Sequence, residues 1–263
     1  MVPAIMPAES NLLVNGQESY RYKITLEYLG HGYCGWQRQK EGLSIQQVIE
    51  EAIYGFSKEQ VTIHVAGRTD AGVSALSQVA HFDLTRYYEP KRLMRSINHF
   101  CIGHTIGVVA AELVSQEFNA RFCAKSRHYV YKILNRKSVN IVNRGLMHWV
   151  NHPLDIDAMQ RASKHLLGHH DFSSFRASEC QAKSPMKTLD RIEIIKCGEV
   201  IEIHVSALSF LHNMVRNIVG SLLMVGGGNW PSDKMQDVLN AKDRRAAGPT
   251  APPEGLYFLR VDY

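Results

Sequence analysis

Residues 20–28, YRYKITLEY, set Tyr20, Tyr22, Ile24, Leu26 and Tyr28 against Arg21, Lys23, Thr25 and Glu27 in unbroken alternation. A period of two places the first set on one face of a strand and the second on the other. One face is then buried and one meets solvent, as in an antiparallel sheet. Later elements must pair with this strand or cover its apolar face. Ser44 and Gln47 have capping-box spacing, and Val48, Ile49, Ala52, Ile53 and Phe56 follow as a helical stripe. Strands are expected at 61–66 and 76–83, a helix near 91–100 and a strand near 106–113.

The second half repeats this rhythm. RHYVYKIL (127–134) reads as a strand. A helix carries Ile156, Met159, Ala162, Leu166 and Leu167, with Gly168 as its C-terminal stop. Strands at 189–196 and 200–207 precede a strongly apolar helix, 211–225, halted by Gly226-Gly227-Gly228. A short helix after Pro231 and a last strand, LYFLRVD, complete the chain. Each half reads β-α-β-β-α-β, the ferredoxin-like arrangement. The repeat lies in element order only, since the residues themselves do not align. The expected fold is α+β: two ferredoxin-like α/β halves, 20–117 and 118–263, in one continuous, mostly antiparallel sheet with a central cleft. Residues 1–19 are expected to form a flexible N-terminal extension.

A chain of 263 residues with 45% hydrophobic and 21% charged residues can bury a substantial core. No run approaches the roughly eighteen consecutive apolar residues of a membrane span. The first nineteen residues lack Lys and Arg, unlike a signal or transit peptide. Five widely spaced cysteines with no C-x-x-C pair argue against a disulfide framework or a cysteine zinc site. They point to a reducing compartment, and a cytoplasmic location is expected.

The net charge of +5 is modest, but its distribution is informative. Residues 118–154 contain no Asp or Glu, yet hold Arg121, Lys125, Arg127, Lys132, Arg136, Lys137 and Arg144. Arg86, Lys91, Arg92 and Arg95 form a second basic group, interrupted by Glu89. With Phe122, Tyr129 and Tyr131 interleaved, the acid-free interval favours a phosphate-rich partner, nucleic acid first. A basic strand facing an acidic protein would leave the same pattern.

Three constellations compete with structural readings. In VAGRTDAGVSA (65–75), Arg68 and Asp70 lie among small residues. Thr-Asp-Ala-Gly by itself reads as a turn whose aspartate accepts backbone hydrogen bonds. In FLHNMVRNIVGSLL (210–223), Arg216 sits inside an apolar arc, with His212 one turn earlier on the same face. A guanidinium there needs a carboxylate partner or must snorkel to the surface. In RHYVYK, Tyr129 and Tyr131 share one face and His128, Val130 and Lys132 the other. The tyrosines form either a core pair or a stacking surface for a base. His165 and His169 have i,i+4 spacing, but Gly168 breaks the helix between them and no HExxH glutamate is present, so a metal site is disfavoured. The triple glycine follows a helix rather than opening one, so it is no phosphate loop.

Taken together, GWQRQ (35–39), AGRTDAGV (66–73), QVAHFD (78–83), ARF (120–122), RHYVYKI (127–133), DFSSFRA (171–177), MVRNIVGSLL (214–223) and EGLYFLRVDY (254–263) resemble the tRNA pseudouridine synthase A family, in the family's order. The resemblance implies the pseudouridine synthase fold, Asp70 as catalytic nucleophile, Arg216 as its ion-pair partner and Tyr129 stacked on the target uracil. It implies Arg68 as a contact to the flipped RNA strand and a homodimer with tRNA bound across both subunits. The implied targets are uridines at positions 38, 39 and 40 of the anticodon stem-loop. No metal or organic cofactor is implied. Arg121, Arg127, Lys132 and Arg136 are expected at phosphates. The chain departs from the family pattern at Ser74, Asn119 and Phe100-Cys101, away from the three catalytic positions. These departures bear on RNA contact and the cleft entrance, and a residue other than proline at 101 is expected to loosen its loop. A synthase with another RNA target, or an RNA-binding, tRNA-folding factor, is the alternative.

Overall fold

The computed structural model describes residues 13–14 and 17–263. Most of the expected extension, residues 1–19, therefore lies outside the described residues. Its described pieces, β1 (Leu13–Val14) and β2 (Gln17–Glu18), pair antiparallel as a separate hairpin.

From β3 (Tyr20–Tyr28) the chain runs through α1 (Ile45–Ser57), β4 (His64–Val65), β5 (Ser74–Leu84), α2 (Pro90–Phe100) and β6 (Ile106–Val114). It continues through β7 (Ser126–Asn135), β8 (His148–Val150), α3 (Ile156–Lys164), β9 (Gly168–Asp171), β10 (Met186–Cys197) and β11 (Val200–Ala207). Helices α4 (Met214–Gly226) and α5 (Lys234–Ala241) and strand β12 (Leu256–Asp262) complete it. Among the described residues one ten-stranded sheet forms, with main path β6-β3-β5-β12-β7-β11-β10-β9; β4 adds to β5 and β8 to β7. The pairings are antiparallel except β12 with β5 and β8 with β7. The architecture is the expected α+β one.

The alternation of β3 is realised directly. Tyr22, Ile24 and Leu26 are fully buried and Tyr28 nearly so. On the opposite face, Arg21 grips its cross-strand neighbour Asp83 through Nε and Nη2, each at 2.8 Å, and Lys23 meets its neighbour Glu112 at 2.9 Å. Such cross-strand pairs reinforce the register that the apolar face dictates. Ser44 Oγ accepts from the Gln47 N–H at 3.1 Å and caps α1. One contiguous apolar core runs through the described residues, including Ile24, Ile49, Phe82, Phe258, Tyr131, Ile218 and Leu222.

The junction of β5 with β12 is short. Strands β5 and β12 touch through Tyr257 opposite Ser74 and Phe258 opposite Ala75. Both contacts lie at the start of β5, so the loop entering β5 emerges at this junction.

Strands β8 and β9 were not expected, and three expected elements differ from the sequence reading. The strand expected at 61–66 is only His64–Val65, because the Ile63 N–H is taken by Glu50 Oε1 of α1 at 3.1 Å. Helix α3 stops at Lys164, where Leu166 and Leu167 bond back three residues in tight turns. Gly168, at φ +96°, then opens β9 instead of ending a helix. Helix α4 starts at Met214 rather than 211, because Asn213 takes a left-handed backbone, φ 59°. Among the described residues no helix is long and apolar enough to cross a membrane.

Candidate active site

Residues 66–73, between β4 and β5, form a fastened loop. The Ala66 carbonyl accepts from Arg127 Nε and Nη2 at 2.9 and 2.7 Å, and the Gly67 carbonyl accepts from Gln78 Nε2 at 2.7 Å. Thr69 Oγ1 lies 2.8 Å from the Tyr28 hydroxyl, while its carbonyl accepts from the Trp36 N–H at 3.0 Å. The Val73 N–H closes back on the Asp70 carbonyl at 3.1 Å. Glycine is needed at one close approach: a Cβ on Gly30 would lie only 2.3 Å from the Val73 carbonyl oxygen, while one on Gly67 would lie a tight 3.3 Å from the Phe258 ring. These anchors restrain the backbone that carries Asp70, which is what precise positioning of a reacting group requires.

Asp70 itself is only 27% exposed at the side chain. Its Oδ1 lies 3.2 Å from His212 Nε2, and its Oδ2 lies 3.9 Å from Arg216 Nη1. Burial raises its pKa above the ordinary carboxylate value, while His212 and then Arg216 pull it back. The carboxylate is thus poorly hydrated and faced by two nitrogen bases.

Arg216 meets Asp70 as read from the sequence, but loosely. Its Nε donates to the Ala251 carbonyl at 2.7 Å and its Nη1 to Asn213 Oδ1 at 2.9 Å. At 3.9 Å it acts on Asp70 by Coulomb attraction rather than through a hydrogen bond. His212 is the closer partner and was missed as one. The sequence reading put it on a helical turn, whereas the left-handed Asn213 leaves it in the loop before α4.

Tyr129 on β7 is buried, its ring edge-on to Phe210 and Phe258 at 5.0 and 5.1 Å. Burial, then the Asp70 charge, raises its pKa far beyond the ordinary phenol value, so the hydroxyl stays protonated. Tyr131 is core instead: it is fully buried and donates to the Pro252 carbonyl at 2.9 Å.

The expected phosphate contacts divide sharply. Arg68 and Arg121 are exposed, and the Arg121 guanidinium lies 5.6 Å above the ring of Phe122, itself 79% exposed. Asn119 Oδ1 builds the turn that presents them, accepting from the N–H groups of Arg121 and Phe122 at 2.9 and 3.1 Å. Arg127 requires correction. Only 8% exposed, it spends its donors on the carbonyls of Ala66, Arg121 and Leu208. The sequence reading took its positive charge as a surface property, whereas it serves as an internal clamp. Lys132 points to the sheet face opposite Tyr129, 3.7 Å from Glu202 and over the Tyr257 ring. Arg136, one residue beyond β7, pairs with Glu199 at 3.0 Å, seven residues and roughly 23 Å of extended chain from Tyr129. Neither joins the Asp70 cluster.

The departures from the family pattern have structural uses. Ser74 is buried and its Oγ accepts the Gly30 N–H at 3.0 Å, tying the start of β5 to the end of β3. Cys101 is buried and its N–H donates to the Ile97 carbonyl at 3.0 Å, a bond proline would lack. His165 caps α3, and His169 lies on β9 with Nδ1 2.9 Å from Thr188 Oγ1. Among the described residues no three His, Cys, Asp or Glu side chains gather as a metal site would need.

A carboxylate on a clamped loop, a buried tyrosine and an arginine meeting at a sheet seam suggest an enzyme, and comparison gives its class. Residues 162–263 match the family described as tRNA pseudouridine synthase. Over 244 residues the chain is 53% identical to tRNA pseudouridine synthase A of Ehrlichia canis (strain Jake), covering 92% of this chain and 100% of that relative. Over 243 residues it is 49% identical to tRNA pseudouridine synthase A of Nitrobacter winogradskyi, covering 92% and 95%. A solved structure of a Cbf5-Nop10-Gar1 complex overlaps at TM-score 0.35 and 12% identity, covering 77% of this chain and 45% of that one, too distant a likeness to inform the site. The chain belongs to the tRNA pseudouridine synthase A family, which makes it an isomerase.

Proposed function

We propose that this protein isomerises uridine to pseudouridine at positions 38, 39 and/or 40 of the tRNA anticodon stem-loop, with Asp70 as the nucleophile. Family membership supports tRNA pseudouridylation. The Asp70 assignment is carried by one observation. Loop 66–73, β7 and the start of α4, all distant in sequence, converge to leave a poorly hydrated carboxylate beside Arg216 and Tyr129.

The reaction breaks the N1–C1′ bond, turns the uracil and joins C5 to C1′, after which the C5 proton leaves and N1 takes one up. Nothing is oxidised or added, so the chemistry asks for an ionised carboxylate, a held base and a proton acceptor. Arg216 favours the ionised form of Asp70 against its burial. Tyr129, held between Phe210 and Phe258, is the side chain we assign to stacking on the base, and its neutral hydroxyl acts as a hydrogen-bond donor. A uridine in a stem must first be unstacked and turned out. Arg68, exposed two residues before Asp70, is the side chain to fill the vacated space and hold phosphate, with Arg121 beside Phe122 as a further contact.

In this reading residues 20–117 supply the Asp70 side of the cleft and residues 118–263 the Arg216 and Tyr129 side. The working form is a cytoplasmic homodimer with tRNA across both subunits. Tritium release from C5-labelled uridine in a tRNA transcript tests the chemistry, and mapping pseudouridine at each position tests the targets. Release by the wild type and none by Asp70→Ala is expected. An Asp70→Ala protein that releases tritium at the wild-type rate overturns the nucleophile.

A further inference from the structure

We propose that His212 is the positioning residue for Asp70: its imidazole holds the carboxylate's orientation, while Arg216 supplies charge from a distance. This rests on the reading of Asp70 as nucleophile. The geometry separates the two roles. His212 Nε2 pairs with Oδ1 at 3.2 Å, whereas Arg216 Nη1 stands farther off, 3.9 Å from Oδ2. Arg216 cannot readily swing closer, because Nε is held by the Ala251 carbonyl and Nη1 by Asn213 Oδ1.

His212 is held in place by its own backbone. Its N–H donates to Cys180 Sγ at 3.4 Å and its carbonyl accepts the Ala177 N–H at 3.1 Å. The left-handed Asn213 then turns the chain into α4. The imidazole is thus carried on a segment fixed from both sides, and it holds one carboxylate oxygen while the other faces the Arg216 charge. Without it, Asp70 keeps the more distant Arg216 charge and loses the nearer of its two ion-pair contacts, the one that bears on its rotation. That loss should appear in the chemical step and not in tRNA capture.

The test is single-turnover pseudouridine formation on a tRNA transcript, with tRNA affinity and melting temperature measured alongside. Variants are His212→Ala, His212→Gln, whose amide nitrogen can stand in for Nε2, and Asp70→Asn as reference. The expected result is a rate lowered about 10- to 100-fold in His212→Ala. Affinity should stay within about 3-fold, and most of the rate should return in His212→Gln. A wild-type rate in His212→Ala, beside an inactive Asp70→Asn, overturns the positioning role alone. Equal losses of rate, affinity and melting temperature in both His212 variants also overturn it, in favour of a structural role. An active Asp70→Asn overturns the nucleophile reading and this inference with it.

Discussion

Replacing Arg127 with methionine distinguishes an internal clamp from a phosphate contact at a single position. The guanidinium makes four hydrogen bonds to three carbonyl oxygens, those of Ala66, Arg121 and Leu208, each on a different segment around Asp70. Methionine approximates the aliphatic stem but satisfies none of these carbonyls. The buried Ala66 carbonyl left without a partner costs about 1–3 kcal/mol and the part-buried Arg121 and Leu208 carbonyls less, while release of the buried charge offsets part of the sum. A net loss of about 2–4 kcal/mol follows, which lowers the melting temperature by roughly 4–16 °C at about 2–4 °C per kcal/mol. Calorimetry reads the first effect, and tRNA affinity measured from low to moderate salt reads the second. A clamp predicts a large fall in melting temperature with the slope of log affinity against log salt unchanged for the protein that remains folded. A phosphate contact predicts the reverse, with the slope shallower by about one unit and stability intact. That second result would refute the structural reasoning. Arg127→Lys should fall between wild type and methionine, since one ammonium cannot span three carbonyls on a planar fork.

Asp70→Asn should abolish isomerisation, keep tRNA affinity within a few-fold, and raise the melting temperature by about 1–3 °C, because it removes a carboxylate that burial makes costly to ionise. The sign follows from the raised folded-state pKa. Wild-type stability falls as pH rises from about 4 through that pKa, and activity rises through the same window as Asp70 ionises. Flat profiles in both measurements would contradict the assignment. Arg68→Gln and Arg121→Gln should each reduce the salt slope of tRNA binding by about one unit with little change in melting temperature, since both side chains are exposed. An unchanged slope in both removes them from the RNA contact. Gly30→Ala should displace the Asp70 loop and destabilise the protein by roughly 2–4 kcal/mol, because its Cβ would lie 2.3 Å from the Val73 carbonyl oxygen. A wild-type denaturation midpoint would show that the loop can give way.

Much of the architecture was legible because short-range periodicity encodes it. The alternation of residues 20–28, the Ser44 cap with its helical stripe and the β-α-β-β-α-β order from β3 to β6 all depend on neighbours close in sequence, whereas β8 and β9 interrupt that order from β7 onward. The segments around Asp70, Tyr129 and Arg216 were recognisable too, as ordered motifs rather than through any property of a single side chain. What sequence could not supply was the direction of each side chain and its partners across the fold. Arg127 and Arg121 carry the same charge six residues apart, yet one is enclosed by carbonyls and the other lies open over Phe122. Lys132 belongs to the same basic interval, but strand alternation turns it away from Tyr129. His212 became the nearest partner of Asp70 only because Asn213 adopts a left-handed backbone and delays α4. Local pattern determines which elements form, because propensity and periodicity act between near neighbours. Burial, hydrogen-bond partners and pKa depend on segments tens to hundreds of residues apart, and only the packed chain brings those together.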